Sequence, residues 1–382
     1  MLVGGGLECG CGRVGGPPTL LVRCVALLLV WTAALASAPY YDPTAMDHQV
    51  AYRYLDEVEK VIGTEAFEAV PYELALQLAL TLGNIDKFNL DAGGFVAHVR
   101  EVCRAEQRYY KERPLGNDMV VPYVLPLRIR CESTSKPAWF AILAAHFQPL
   151  TAQATNADEA ARLVLDWMAT ELELSDPAFS YKLVSRGELD PLTVLKGGRG
   201  NELDLAVFGV AALRASGVAA RFVWAPALRG EVGGKAWLEY YGEKGKWLPW
   251  VPSFGKRANH AAVLREAMGG KIVFVMARPE APVEITDSYA ETLEIAFDTP
   301  PRDVELALMI VGSRELMPAL GDLAAQIRNG RKIRLGKGPA IIGASFGNRT
   351  FALLPIDPPP GTKQVVIIAR DGNLSLGEVS IK

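Results

Sequence analysis

Gly197-Gly198-Arg199-Gly200-Asn201-Glu202-Leu203-Asp204-Leu205-Ala206 reads as a glycine-rich loop running directly into a helix. Asn201 is a good N-cap, with Asp204 three residues on. Leu203, Val207, Val210, Ala211 and Leu213 recur at helical spacing and supply a buried face, and Gly217 suits the C-terminal stop. Three strand-like runs follow: Ala219 to Trp224, Lys235 to Tyr241 and Lys246 to Val251. The order is loop, buried helix, antiparallel strands, which predicts an α+β core. Upstream, Asp158 to Leu172 is an amphipathic helix with Ala161, Leu163, Val164, Trp167 and Met168 on its apolar side. Pro191 to Leu195 reads as the lead into the glycine loop.

Four short stretches here resemble the transglutaminase-like superfamily, whose fold is papain-type. They are residues 197–206, residues 211–221 (Ala-Ala-Leu-Arg-Ala-Ser-Gly-Val-Ala-Ala-Arg), residues 235–239 (Lys-Ala-Trp-Leu-Glu) and residues 247–252 (Trp-Leu-Pro-Trp-Val-Pro). The likeness lies in the order and spacing of all four together. It implies a nucleophilic Cys at the helix start, a His before the Ala-Trp pair and an Asp before the last Pro. In this sequence those positions hold Glu202, Lys235 and Val251. Acyl transfer from an amide needs a strong nucleophile such as a thiolate, whose pKa is lowered at a helix N-terminus and by a neighbouring imidazole. A carboxylate is a poor substitute, Lys normally stays charged, and Val cannot orient a base by hydrogen bonding. None of His48, His98, His146 and His260 falls at a triad position.

In the family the Cys and His side chains face each other. The resemblance therefore predicts a Glu202–Lys235 ion pair in the former active site, with Glu202 also facing the positive end of the helix dipole. Such a pair either satisfies two polar side chains in a degenerate cleft or forms a polar floor for a ligand. Trp224, Trp237, Tyr240 and Trp250 are the cleft candidates. They are core residues on strand faces, or, if two or more line the groove, a platform for an extended peptide or sugar polymer. Arg214 and Arg221 match the family's Arg positions and are most simply structural.

Outward from the core, residues 43–146 read as a helical region. Tyr54, Val58 and Val61, then Leu74, Leu78 and Leu82, then Phe95, Val99 and Cys103 fall at helical spacing. Val120 to Ile129, carrying Pro122 and Pro126, reads as an extended connector. After a Pro279–Pro282 linker, residues 283–382 alternate short apolar runs with turns, which predicts an Ig-like β-sandwich. The runs are Thr292 to Phe297, Val304 to Ile310, Ala340 to Gly343, Thr350 to Leu354 and Gln364 to Ala369. The transglutaminase-like core is placed at 147–277. The flanks, including Tyr123-Val124-Leu125-Pro126, resemble those of a secreted bacterial subgroup.

The chain has 382 residues, half of them hydrophobic, and a net charge of −3. That balance gives no electrostatic reason to expect nucleic acid or an anionic membrane as partner. Arg13 and Arg23 precede an apolar run from Val25 to Leu35, and Ala34-Leu35-Ala36 offers a small-residue cleavage site. This reads as a secretory signal over 1–36, cut near Ala36, and predicts a secreted or periplasmic protein with no stable membrane span. An uncleaved anchor is the alternative. Cys103 and Cys131 remain after that cut, as a disulfide or as two buried thiols. No cluster has metal-ligand spacing, and no cofactor motif is present. The expected function is non-catalytic binding of an extracytoplasmic peptide, protein or cell-surface polymer through the former cleft. The alternatives are a hydrolase or peptidase working through a changed site, and a purely structural surface module, told apart by whether the cleft is open or filled.

Overall fold

The computed structural model describes residues 45–381 apart from 84–86, 88–89, 112–113, 131–138, 177–188, 227, 232–233, 258–260, 278–282, 299–303, 312–315, 320–331, 347–349 and 371–372. The leader over 1–36, Cys131 and the Pro279–Pro282 linker lie outside the described residues.

The first part is helical: α1 (Ala45–Ile62), α2 (Thr64–Glu68), α3 (Tyr72–Thr81), α4 (Ala92–Tyr109), α5 (Asn117–Tyr123) and α6 (Trp139–Phe147). Leu74, Leu78, Leu82, Phe95 and Val99 are buried as their spacing predicts. Val61 is not; it is 75% exposed at the last turn of α1. The stretch from Val120 is also helical at first rather than extended. Val120 and Tyr123 are buried anchors of α5, and Pro122 lies in its last turn, where its missing N–H costs only a terminal bond.

The central part follows with α7 (Ala157–Glu171), β1 (Glu173–Asp176), α8 (Pro191–Gly197), β2 (Arg199–Asn201) and α9 (Glu202–Ala215). The lead into the glycine-rich stretch, residues 191–197, is a short helix. Asp190 caps it by accepting from Leu192 N at 3.0 Å and Thr193 N at 3.2 Å, and Pro191 opens it without needing a donor. Helix α9 is buried along its whole length, so its apolar residues surround it instead of forming one stripe.

Against α9 lies an antiparallel sheet in the order β5-β4-β3-β6-β7, made of β3 (Ala220–Ala225), β4 (Lys235–Tyr241), β5 (Trp247–Trp250), β6 (Met276–Ala277) and β7 (Val283–Glu284). Both faces of its central strands are covered. Ala220, Phe222 and Trp224 of β3 join Ala236, Leu238 and Tyr240 of β4 in the core shared with α9. Val223, Ala225 and Trp237 face a second cluster with Val251, Leu264, Ile272 and Tyr289. Leu264 comes from helix α10 (Ala261–Met268). Helix and sheet approach closely: a Cβ on Gly209 of α9 would lie 2.3 Å from Leu238 Cδ2.

The C-terminal strands are β8 (Thr292–Phe297), β9 (Val304–Val311), β10 (Leu316–Ala319), β11 (Ile333–Gly336), β12 (Ala340–Phe346), β13 (Thr350–Ile356), β14 (Thr362–Arg370) and β15 (Asn373–Ile381). They form two four-stranded sheets, β10-β9-β12-β13 and β11-β8-β14-β15. Every described pairing is antiparallel except β8 with β14. The fold is therefore mixed α+β in the core with strands after it.

The helical part is tied to the core through buried polar groups. Tyr110 OH accepts from Ala219 N at 3.2 Å and donates to Tyr241 O at 3.1 Å. Arg214 donates to Ala220 O and to Pro126 O, both at 3.1 Å. These bonds give Arg214 a structural role. They also fix the far end of α9, whose first turn carries the site.

Candidate functional site

Strand β2 pairs in parallel with β1, which delivers Asn201 to the start of α9 in a set position. Asn201 Oδ1 accepts from Asp204 N at 2.8 Å, and Asp204 Oδ2 accepts from Asn201 N at 3.1 Å, a reciprocal cap. Asp204 Oδ1 also accepts from Leu189 N at 3.1 Å. A Cβ on Gly200 would meet Asp204 Cβ at 2.9 Å, so the loop needs a glycine there. Glu202 thus begins on a rigid first turn, beside the free N–H groups and positive dipole of α9.

Lys235 is the first residue of β4 and pairs in register with Ala225 at the end of β3. Its Nζ lies 2.7 Å from Glu202 Oε1. It also donates to Ser253 Oγ at 2.7 Å and sits 5.5 Å from the centre of the Phe254 ring. Glu202 is completely buried, while the Lys235 side chain keeps 14% exposure. Ala236 N reaches Glu202 Oε2 at 3.5 Å, a long contact. Oε1 receives no well-aligned hydrogen bond despite its close cation, so charge more than directed bonding holds the pair. Burial pushes the Glu202 carboxyl above its ordinary range, and Lys235, the Ser253 hydroxyl and Ala236 N–H oppose that shift.

The structure thus brings Glu202 and Lys235 together and adds Ser253. Val251 stands apart, buried in the apolar cluster with Trp237 and Tyr289. The four aromatic candidates are each 8% exposed or less. Phe222 and Trp224 stack at 5.7 Å between centroids. The described residues therefore offer no exposed platform of Trp224, Trp237, Tyr240 and Trp250; these side chains are core.

Sequence reasoning missed a second buried polar group behind the site. Arg221 Nη2 pairs with Glu239 Oε2 at 2.6 Å. Tyr289 OH donates to Glu239 Oε1 and accepts from Trp237 Nε1 at 3.2 Å. Arg221 also lies 4.1 Å from the Trp247 ring centre. The alternation Lys235, Trp237, Glu239 would have placed two of these on one strand face with Lys235, but nothing local points to Tyr289 as the partner. Ser253 carried one weak signal, a hydroxyl directly after the Pro252 that closes the fourth motif.

The close approach of β3 and β4 sets Lys235. A Cβ on Gly234 would lie 2.2 Å from Ala225 O and 2.5 Å from Pro226 O. Gly234→Ala is expected to push the strands apart at the ion pair and cost about 2 kcal/mol, as overpacking does, measured by denaturant unfolding.

The match to known proteins falls on this site. Residues 145–252 match the Transglutaminase-like superfamily core, a span that contains α9 and strands β3 to β5. Residues 145–252 are a transglutaminase-like domain. No curated protein matches the chain. Among solved structures, a candidate protease from Parabacteroides distasonis is 15% identical, covers 45% of this chain and 34% of its own, and has a TM-score of 0.31. A candidate cysteine protease from Cytophaga hutchinsonii is 14% identical, covers 72% and 68%, and has a TM-score of 0.32. The assignment of the transglutaminase-like domain rests on residues 145–252 and not on these two.

Around the domain, Cys103 is half-buried on α4. Among the described residues, no three His, Cys, Asp or Glu side chains gather as a metal site, and no helix is long and apolar enough to cross a membrane.

Proposed function

We propose that this chain is an extracytoplasmic protein whose transglutaminase-like domain performs no thiol acyl transfer and acts as a binding or scaffolding module. One observation carries the reading: a fully buried carboxylate, Glu202, held by Lys235, occupies the place the resemblance gives to the nucleophile. A carboxylate attacks amides poorly, and a paired ammonium has no lone pair with which to take a proton. In this reading residues 1–36 are a secretory signal cut near Ala36. Residues 43–146 are a helical region, residues 147–277 the core and residues 283–382 a β-sandwich. The partner is an extracytoplasmic peptide, protein or cell-surface polymer. Because the four aromatic candidates are buried, the partner is engaged on the outer surface rather than on a Trp-lined groove.

The test is an amidase and amine-transfer assay on the mature protein beside Glu202→Ala. No activity in either is the expected result. Activity in the parent that disappears in the variant would replace the proposal with catalysis through a changed site.

A further inference from the structure

In the sequence, Pro279 to Pro282 reads as a linker, after which the pattern changes to alternating short runs. The described contacts between the two sides of that boundary are close and polar. Arg229, in the turn after β3, reaches over to the main chain at the end of β11 and just beyond it. Its Nε donates to Pro339 O at 2.9 Å, Nη2 to Gly336 O at 2.6 Å, and Nη1 to Lys337 O at 2.8 Å. The same Nη1 donates to Ile272 O at 3.0 Å on the core side. The guanidinium therefore bridges two main chains through carbonyls, a use to which its fixed fork is suited.

The backbone is shaped to that cation. Gly338 has φ +125, a conformation that side chains rarely tolerate, and a Cβ there would lie 3.1 Å from Arg229 Cζ. A Cβ on Gly336 would lie 2.0 Å from Ile272 O, so the two chains touch with no side chain between them. Gly336 N donates to Val273 O at 2.9 Å at the same place. Burial lowers the Arg229 pKa only to about 10, which leaves the cation intact at neutral pH.

A second tether enters from the other direction. Tyr289, just before β8, is buried against Trp237 with ring centroids 5.0 Å apart and an interplanar angle of 76°. Its hydroxyl lies between Trp237 Nε1 and Glu239, both on β4. At the rim, Arg265 of α10 donates to Ser288 O at 2.7 Å and Asp287 O at 3.0 Å.

We infer that Arg229 and Tyr289 lock the C-terminal sheets to the transglutaminase-like domain, so that both move as one rigid body. Tyr289 also braces β4, the strand that carries Lys235. The lock goes beyond the non-catalytic reading and is independent of it, since the acyl-transfer assay does not report on domain motion.

The experiment uses the full chain and hydrogen exchange with thermal unfolding. The parent should unfold in one transition. Arg229→Met should raise amide exchange by about tenfold or more across residues 270–275 and 333–339 and split the unfolding in two. Tyr289→Phe, which keeps the ring and removes the hydroxyl, should raise exchange in β4 while leaving the helical region unchanged. Two well-separated transitions in the parent would overturn the inference. So would exchange in both variants that stays within about twofold of the parent.

Discussion

Lys235→Met is expected to destabilise the protein by about 3 kcal/mol, because it strands the Glu202 carboxylate where water cannot reach it. The charge would keep only the α9 N-terminus, the Ser253 hydroxyl and one long contact from Ala236 N. The double variant Glu202→Leu/Lys235→Met should recover most of the loss, since a well-packed apolar pair often matches a buried ion pair. Denaturant unfolding of the parent, both single variants and the double variant closes the cycle. Near-additive effects would show that the two side chains are not energetically coupled.

The same variant should acquire a pH dependence of known sign. Burial already raises the Glu202 carboxyl, and Lys235 is among the groups opposing that rise. Without Lys235 the folded-state pKa climbs further, so the folded protein holds the proton more tightly than the unfolded chain. Stability from that proton is fully present below the unfolded pKa and is lost as pH rises through the folded one. The deficit of Lys235→Met should therefore shrink as pH falls.

Acid should act the other way on the helical region. His98 is buried, with Nε2 2.7 Å from Leu125 O, its ring edge-on to Phe140 at 4.1 Å, and Nδ1 without a partner. Burial depresses its pKa from 6.5 to about 4, and the bond to Leu125 O only partly opposes that. The unfolded chain takes up the proton first. Stability associated with neutral His98 is present above about pH 6.5 and falls away as pH drops towards 4, by about 3 kcal/mol. His98→Gln, which keeps an N–H for Leu125 O, should flatten that part of the profile. Equal slopes in parent and variant between pH 7 and 4 would count against a neutral buried His98.

Much of the core was legible in the sequence because its signals are local. The Asn201–Asp204 cap, the extent of α9 and the runs that became β3, β4 and β5 all follow from neighbouring residues. The C-terminal runs at 292–297, 304–310, 340–343, 350–354 and 364–369 each begin or lie within a strand. Where the fold departs from the pattern, the cause is also local. Pro122 suggests an extended connector, because proline marks the end of a helix as well as its first turn. Val61 fitted the stripe of α1, but no neighbouring element covers it there.

The order and spacing of the four motifs, hence the transglutaminase-like domain, are written in the chain, as are Glu202, Lys235 and Val251 at the positions the resemblance gives to the triad. What those residues touch depends on packing. Alternation along β4 separates its two faces but cannot say that α9 covers one and Tyr289 the other. With both faces covered, Trp237 and Tyr240 become core, and Glu239 finds partners fifty residues later and eighteen residues earlier. Ser253 beside Lys235, and Arg229 among the carbonyls of Gly336, Lys337 and Pro339, likewise depend on chain segments brought together by packing. Hydrophobic periodicity records whether a side chain is removed from water, while the identity of its neighbour is settled by which distant segment closes over it.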